Sequence, residues 1–210
     1  RQASYKIEAA VKRAKSIDIK GVVYILATNL DGTSGKMYFN KSEILLIKGA
    51  FDHAERLAES KFRLGRGSLN SHRYEVKTLL HMEDHERNDR AFAHLCRYFC
   101  QKNEDVDHPD NFYFFKVCLQ DDRIVDAVKR SKPFIKMAPL LLYIAAHELV
   151  HVIRFTNGDS DFDAPLEEKI REEEKVHSIT RDMLRPIAET DLALVLDCFS
   201  DEFQIGDILN

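Results

Sequence analysis

Two histidines and a glutamate with the spacing HExxH give the strongest chemical signal in the sequence: His147, Glu148 and His151. On a helix, residues four apart lie one turn above each other on the same face, so the two imidazoles can reach a single cation. Glu148 is rotated by about 100° from His147 and does not share that role. Neutral imidazoles are good zinc ligands, and a carboxylate that does not bind the metal can act as a general base. The spacing therefore predicts a zinc site in which Glu148 takes a proton from water.

A long apolar helix is predicted around this motif. Between residues 134 and 155 the charged residues are Lys136, Glu148 and Arg154, and apolar side chains occupy every helical face. Such a helix must be buried, and a buried glutamate between two histidines is costly unless a metal or another partner satisfies these groups. The uncharged stretch between Lys136 and Glu148 holds eleven residues. A membrane span needs about 20, so no membrane is expected.

The segment HELVHVIRF resembles the active-site helix of the zincin metallopeptidases. The resemblance implies that His147 and His151 bind Zn²⁺, that Glu148 drives a water onto a peptide carbonyl, and that a third ligand follows later in the chain. The metzincin branch is excluded because its pattern HExxHxxGxxH is absent: no histidine follows His151 until His177. In the gluzincin branch the third ligand is a glutamate on a second helix.

A predicted helix over residues 166–184 supplies such a glutamate. Glu173 and His177 lie close to one face of it together with Ile170 and Leu184, so both polar side chains would point inward. Under the gluzincin resemblance Glu173 is the third ligand. His177 stands where the family usually has Asp or Asn, a group that orients a ligand. Because histidine is itself a good zinc ligand, His177 is also an alternative metal ligand.

Other acidic residues remain open as the third ligand. Glu172 and Glu174 flank Glu173, and a run of this kind is usually a solvated helical face. One class of zincins takes an Asp just beyond the HExxH helix, and three aspartates follow it here: Asp159, Asp161 and Asp163. The stretch from Glu173 onward also partly resembles the ImmA/IrrE-type metallopeptidases, which are intracellular enzymes that cut regulatory proteins. The zincin resemblance covers residues 134–186.

The first half of the chain is predicted to alternate between helices and strands. Spacing and turn signals predict helices over residues 2–16, 43–62, 84–101 and 121–131, and strands over 20–30, 73–82 and 111–119. A last helix is predicted over residues 190–203. We therefore expect one α+β, zincin-like domain over residues 1–210, with a small mixed sheet in residues 1–133 and the metal site in a helical half, residues 134–210. A strand over residues 112–119 or 73–80 is expected to hold the substrate backbone.

Composition sets the expectations about partners and location. The chain has 210 residues, of which 44% are hydrophobic and 31% charged, as in a folded globular protein. A net charge of −4 gives no indication of nucleic-acid binding. The four cysteines lack CxxC spacing, and the helix predicted over residues 84–101 places Cys96 beside Cys100 in the core rather than at a metal. The charged N-terminal segment is unlike a signal peptide, so we expect a cytoplasmic protein with a peptide or protein substrate.

Alternatives to a zinc-dependent metallopeptidase stay open. The same side chains could hold a structural or sensing metal, or they could be core histidines with hydrogen-bonded neighbours. If His177 bound together with the other three ligands, the site would be closed to water. A regulatory, nucleic-acid-associated zincin-like protein would require basic segments 61–66 and 128–136 to form one face. The group stabilising the developing oxyanion is not identified; by helical position the candidates are Tyr143, Arg154 and His177.

Overall fold

The computed structural model describes residues 37–69, 74–88, 90–100, 112–131 and 134–200. The predicted helix over residues 2–16 and the predicted strand over residues 20–30 lie outside the described residues.

The described residues form an α+β structure with a small mixed sheet followed by a helical half, as the sequence predicts. The helices are α1 (Lys41–Lys61), α2 (Asp121–Arg130), α3 (Met137–Asn157), α4 (Leu166–Leu184) and α5 (Thr190–Cys198). The strands are β1 (Tyr74–Thr78), β2 (Ala93–Cys100) and β3 (Phe112–Leu119), and short 3₁₀ turns span Leu79–His81, Asp84–Glu86 and Arg185–Ile187. The strand order is β1-β3-β2, with β1 parallel and β2 antiparallel to the central β3.

Helix α3 is the centre of the fold and packs against the other helices and two strands of the sheet. It is long and apolar enough to meet the criteria for a membrane span, but 72% of its most apolar stretch is buried by the surrounding elements. The core helix of a globular protein has this composition, because apolar side chains on every face need partners on every face. Helix α3 ends at Asn157, and the φ of 75° at the following Gly158 allows the left-handed turn.

Helix α1 supports α3 from the N-terminal side of the chain. Asn40 caps its first turn by accepting hydrogen bonds from the backbone of Ser42 and Glu43, and the Glu43 carboxylate reaches back to the Asn40 backbone. Ala54 and Ala58 are fully buried on the face that packs against α3. Small side chains at these positions let the two helices approach closely, which fixes one side of the helix that carries the HExxH motif.

The helix predicted over residues 84–101 is wrong, because this segment holds the 3₁₀ turn Asp84–Glu86 and strand β2. Phe92, Leu95, Cys96 and Phe99 have helical spacing, but the alternation of buried Leu95 with polar neighbours also fits a strand. The eight residues of β2 pair along the whole of β3, and this tertiary pairing overrides the local pattern. Cys96 and Cys100 therefore do not share a helical face as predicted.

Of the two segments expected to hold the substrate backbone, residues 73–80 contain β1, at an edge of the described sheet, whereas residues 112–119 form a strand as predicted but do not fit the role. These residues form β3, which is the central strand and pairs with β1 on one side and β2 on the other. A strand paired on both sides has no free backbone groups with which to add a peptide. Of the strands next to α3, β2 is the one at an edge of the described sheet.

The buried carboxylate of Glu86 connects the segment before β2 to the sheet through hydrogen bonds and ion pairs. Glu86 is 0% exposed and accepts hydrogen bonds from the Tyr98 hydroxyl at 2.6 Å and from Lys116 Nζ at 2.9 Å. Lys77 Nζ lies 3.3 Å away, and the Glu83 backbone N–H donates at 2.9 Å. Burial alone would raise the pKa of Glu86, but these donors outweigh it and lower the pKa to about 2.

We expect Glu86→Gln to destabilise the fold by about 3 kcal/mol at neutral pH, because it leaves two lysines without their carboxylate. The pKa of Glu86 is lower in the folded protein than its ordinary value of 4.5. Its contribution to stability is therefore present above pH 4.5 and lost as the pH falls towards about 2. Denaturant unfolding of the wild type and of Glu86→Gln, from pH 7 downward, measures the difference in their free energies of unfolding. A difference in stability that does not shrink below pH 4.5 would contradict the assignment.

Candidate metal centre

The two histidines of the HExxH motif lie one turn apart on the inner face of α3. Their imidazole ring centroids are 4.9 Å apart, and His147 and His151 are 3% and 6% exposed. Burial lowers the pKa of His147 to about 4, against the charge of Glu173, so this imidazole is neutral at physiological pH. Burial also acts to lower the pKa of His151, but Glu173 outweighs it and the pKa is raised. The structure thus brings together the two imidazoles that the sequence predicts as ligands.

Glu173 on α4 bridges these two imidazoles. Its Oε1 lies 2.9 Å from Nε2 of His147, and its Oε2 lies 3.1 Å from Nε2 of His151. Burial would raise the pKa of Glu173, but the two histidines hold it well below its ordinary value. The carboxylate is therefore ionised and carries the negative charge that a cation at this position needs.

One unsatisfied polar atom at this centre fits the presence of a cation. Oε1 of Glu173 is buried without a hydrogen-bond partner among the described residues. Oε1 lies close to His147 Nε2, but the two atoms are not aligned for a hydrogen bond. Tetrahedral zinc with N and O ligands separates its ligand atoms by about 3.3 Å. The contacts of 2.9 and 3.1 Å are near this spacing, so the donor set fits a metal ion.

Glu148 lies beside the centre with its carboxylate unused. It is 4% exposed, and within the described part of the chain no hydrogen bond or ion pair is made to it. Burial raises its pKa to about 7, although the charges of His151 and His94 act in the opposite direction. A carboxylate whose pKa lies near physiological pH can both accept and return a proton.

His177 adds a third imidazole to the centre. Its Nδ1 is 2.6 Å from the Tyr143 hydroxyl, and its Nε2 is 3.3 Å from Glu173 Oε1. The ligand atoms of His147, Glu173 and His177 all lie within 4.8 Å of one another, so this trio could hold a metal ion as well. The Tyr143 contact fixes the orientation of the ring, a link that the sequence analysis missed because it joins α3 to α4.

The other acidic candidates for the third ligand are engaged elsewhere or exposed. Glu172 forms a two-pronged ion pair with Arg154, with contacts of 2.6 and 2.8 Å. Arg154, one of the oxyanion candidates, is therefore engaged with Glu172. Glu174 is exposed. Of the three aspartates after α3, Asp163 pairs with Arg97 at 2.7 Å, Asp161 accepts a backbone hydrogen bond in its own turn, and Asp159 lies 3.9 Å from Arg154.

A cleft of about 800 Å³ lies near the centre, although none of the side chains of His147, Glu148, His151 and Glu173 lines it. Phe155 lines the cleft and stacks on the His151 ring, with centroids 5.6 Å apart. Across the cleft, the Arg97 guanidinium lies 4.4 Å from the Tyr113 ring and 4.7 Å from the Phe162 ring. The cleft thus combines aromatic surface with a cationic group and is large enough for the side chains of a peptide.

Comparisons with protein-family models, with curated proteins and with solved structures found no match to this chain. The functional interpretation therefore depends on the residues and their geometry.

Proposed function

We propose that this protein is a zincin-like, zinc-dependent metallopeptidase. His147, His151 and Glu173 hold the metal, and Glu148 is the general base. The observation that carries the proposal is that one carboxylate, Glu173, contacts Nε2 of both motif histidines while the carboxylate of Glu148 stays unpaired beside them. The ligand helix α4 follows the HExxH helix α3 directly, the order that the gluzincin resemblance implies.

The residues of the chain would divide the chemistry between them. Zinc bound in such a site polarises a peptide carbonyl and lowers the pKa of water. Glu148 accepts a proton from the attacking water and passes it to the nitrogen of the leaving amine. The apolar residues of α3 exclude bulk water around Glu148, which keeps its pKa near 7. The cleft beside Phe155 supplies surface for the side chains of a peptide substrate.

A direct test is hydrolysis of unfolded casein by the zinc-loaded protein. We expect cleavage that a chelator abolishes and that added zinc restores. Glu174→Gln is the matched control, because Glu174 is exposed on the same helix and its variant should cleave as the wild type does. Zinc binding without cleavage of casein or of a peptide library would contradict the proposal.

A second candidate function, a closed and non-catalytic metal site, is favoured by the position of His177. If His177 bound the metal together with His147, His151 and Glu173, all four positions of a tetrahedral zinc site would be protein side chains. No position would then remain for water. The ligand atoms of His147, Glu173 and His177 lie within 4.8 Å of one another, so His177 is placed to bind a metal with these two residues, either in place of His151 or together with it.

His177→Ala separates the two candidates. In the proposed enzyme His177 orients Glu173, so we expect the variant to bind one metal ion about 10- to 100-fold more weakly and to retain measurable hydrolysis. Tyr143→Phe removes the hydroxyl that holds His177 and should have a smaller effect in the same direction. Zinc titration by calorimetry, together with the casein assay, measures both. Complete loss of metal from His177→Ala would favour the closed site.

A further inference from the structure

A second group of ligand-type side chains lies on the sheet, on the face turned away from the main core. His94 and Cys96 are two residues apart on β2 and therefore point to the same side. Cys118 on β3 is the register partner of His94. Cys96 and Cys118 pack with Leu79 and Met82 in a small cluster separate from the core around α3. Three metal-binding side chains thus meet on one surface of two paired strands.

The distances between these side chains match a tetrahedral zinc site. The two sulfurs are 3.8 Å apart, and Cys96 Sγ is 3.5 Å from His94 Nε2. With Zn–S bonds of about 2.3 Å and a Zn–N bond of about 2.0 Å, tetrahedral geometry places two sulfurs about 3.8 Å apart and a sulfur and a nitrogen about 3.5 Å apart. All three ligand atoms lie within 4.8 Å of one another. The two distances that involve Cys96 are thus those of a tetrahedral zinc site.

A disulfide explains this arrangement less well. Cys96 pairs with Lys116 and Cys118 pairs with His94, so the two cysteines are diagonal neighbours across the strands. Diagonal neighbours have Cα atoms about 7–8 Å apart, whereas a disulfide needs them within about 6.8 Å. Both cysteines are free thiols. A metal ion between the sulfurs spans the diagonal, since two metal–sulfur bonds replace the single S–S bond.

We propose that His94, Cys96 and Cys118 bind a second zinc ion, with ligands separate from those of the HExxH centre. Two thiolates balance the charge of a divalent cation, and their protons are released to solvent on binding. Nδ1 of His94 is buried without a hydrogen-bond partner among the described residues. No neighbour therefore opposes the tautomer that carries its proton on Nδ1 and leaves Nε2 free to coordinate the metal. Sulfur ligands favour zinc over magnesium or calcium at this site, and the metal would link β2 to β3.

Cobalt titration tests the site, because cobalt bound to thiolates gives a sulfur-to-metal charge-transfer absorption that oxygen and nitrogen ligands do not give. In the His147→Ala/His151→Ala protein, kept reduced, we expect one equivalent of Co²⁺ with this absorption, displaced by added Zn²⁺. Adding Cys96→Ser should abolish the absorption and weaken binding by about 100-fold or more, since loss of a ligand costs more than loss of a group that orients one. Cys198→Ser is the matched control, because Cys198 lies on α5 and its loss should change nothing.

The same measurement on the otherwise unaltered chain covers the case in which the double histidine variant does not fold. We then expect the protein to bind two equivalents of Co²⁺, one of which gives the charge-transfer absorption. After Cys96→Ser we expect one equivalent, bound at the HExxH centre, without this absorption. Absence of the absorption in the otherwise unaltered chain would overturn the proposal. So would absorption that survives Cys96→Ser. Neither outcome would bear on the HExxH centre, since that centre contains no sulfur.

Discussion

Glu148→Gln is expected to lower kcat by roughly 10²- to 10⁴-fold while the protein keeps its metal, because the substitution removes the proton acceptor and leaves the three ligands in place. The amide has nearly the shape of the carboxylate, so packing around α3 is preserved. Removal of a buried, unpaired carboxylate should also leave the metal-free protein as stable as the wild type or more stable. Steady-state hydrolysis, metal content and thermal unfolding of the same preparation measure the three effects.

The combination of results is what tests the role of Glu148. Loss of activity together with loss of metal or of stability would indicate a structural defect instead. Hydrolysis at the wild-type rate by Glu148→Gln would contradict the role of Glu148 as general base, whatever the metal content. Glu174→Gln again serves as the control for a charge removed from the exposed surface nearby.

Glu173→Gln is expected to weaken metal binding by about 100-fold or more, because it removes the charged oxygen ligand and the partner of both motif histidines. Glu172→Gln, at the neighbouring position, should lower the stability of the fold and leave metal binding intact. Glu172 forms a largely buried ion pair with Arg154, so its loss should destabilise the fold by about 3 kcal/mol while one metal ion is still bound. Zinc titration and denaturant unfolding of the two variants give the comparison.

The pair of variants distinguishes a ligand from a structural ion pair on adjacent residues. If Glu172→Gln lost the metal and Glu173→Gln retained it, the assignment of the third ligand would be reversed. Equal loss of metal from both would mean that the orientation of α4, and not one carboxylate, determines binding.

The grouping of the candidate metal ligands was largely predictable from sequence because the spacing within each helix is local. His147 and His151 are one helical turn apart, and Glu173 and His177 are one turn apart on the next helix, so helical geometry alone places each pair on a face. The choice of Glu173 over Glu172 was not settled by the spacing. It depends on the rotation of α4 about its axis, which the ion pair between Glu172 and Arg154 helps to fix.

The cysteine group could not be predicted from sequence, because it depends on strand register. Cys96 and Cys118 are 22 residues apart and meet only through the pairing of β2 with β3. The helical spacing of Leu95, Cys96 and Phe99 predicted a helix for this segment instead. In such a helix the neighbour of Cys96 would be Cys100 and not Cys118. Non-local pairing outweighs local pattern most strongly in strands, and the outcome here follows that rule.

Metal analysis of the purified protein and of His147→Ala is the most direct test of the central claim that the HExxH segment binds zinc. His147 contributes a ligand atom to either trio at this centre, so its loss should remove the metal there whichever trio binds. Both proteins carry Cys96→Ser, so that zinc at the cysteine group is not counted. We expect one zinc ion per chain in the protein with His147 and none in the protein with His147→Ala. Equal zinc in both, or no zinc taken up by either, would contradict this claim.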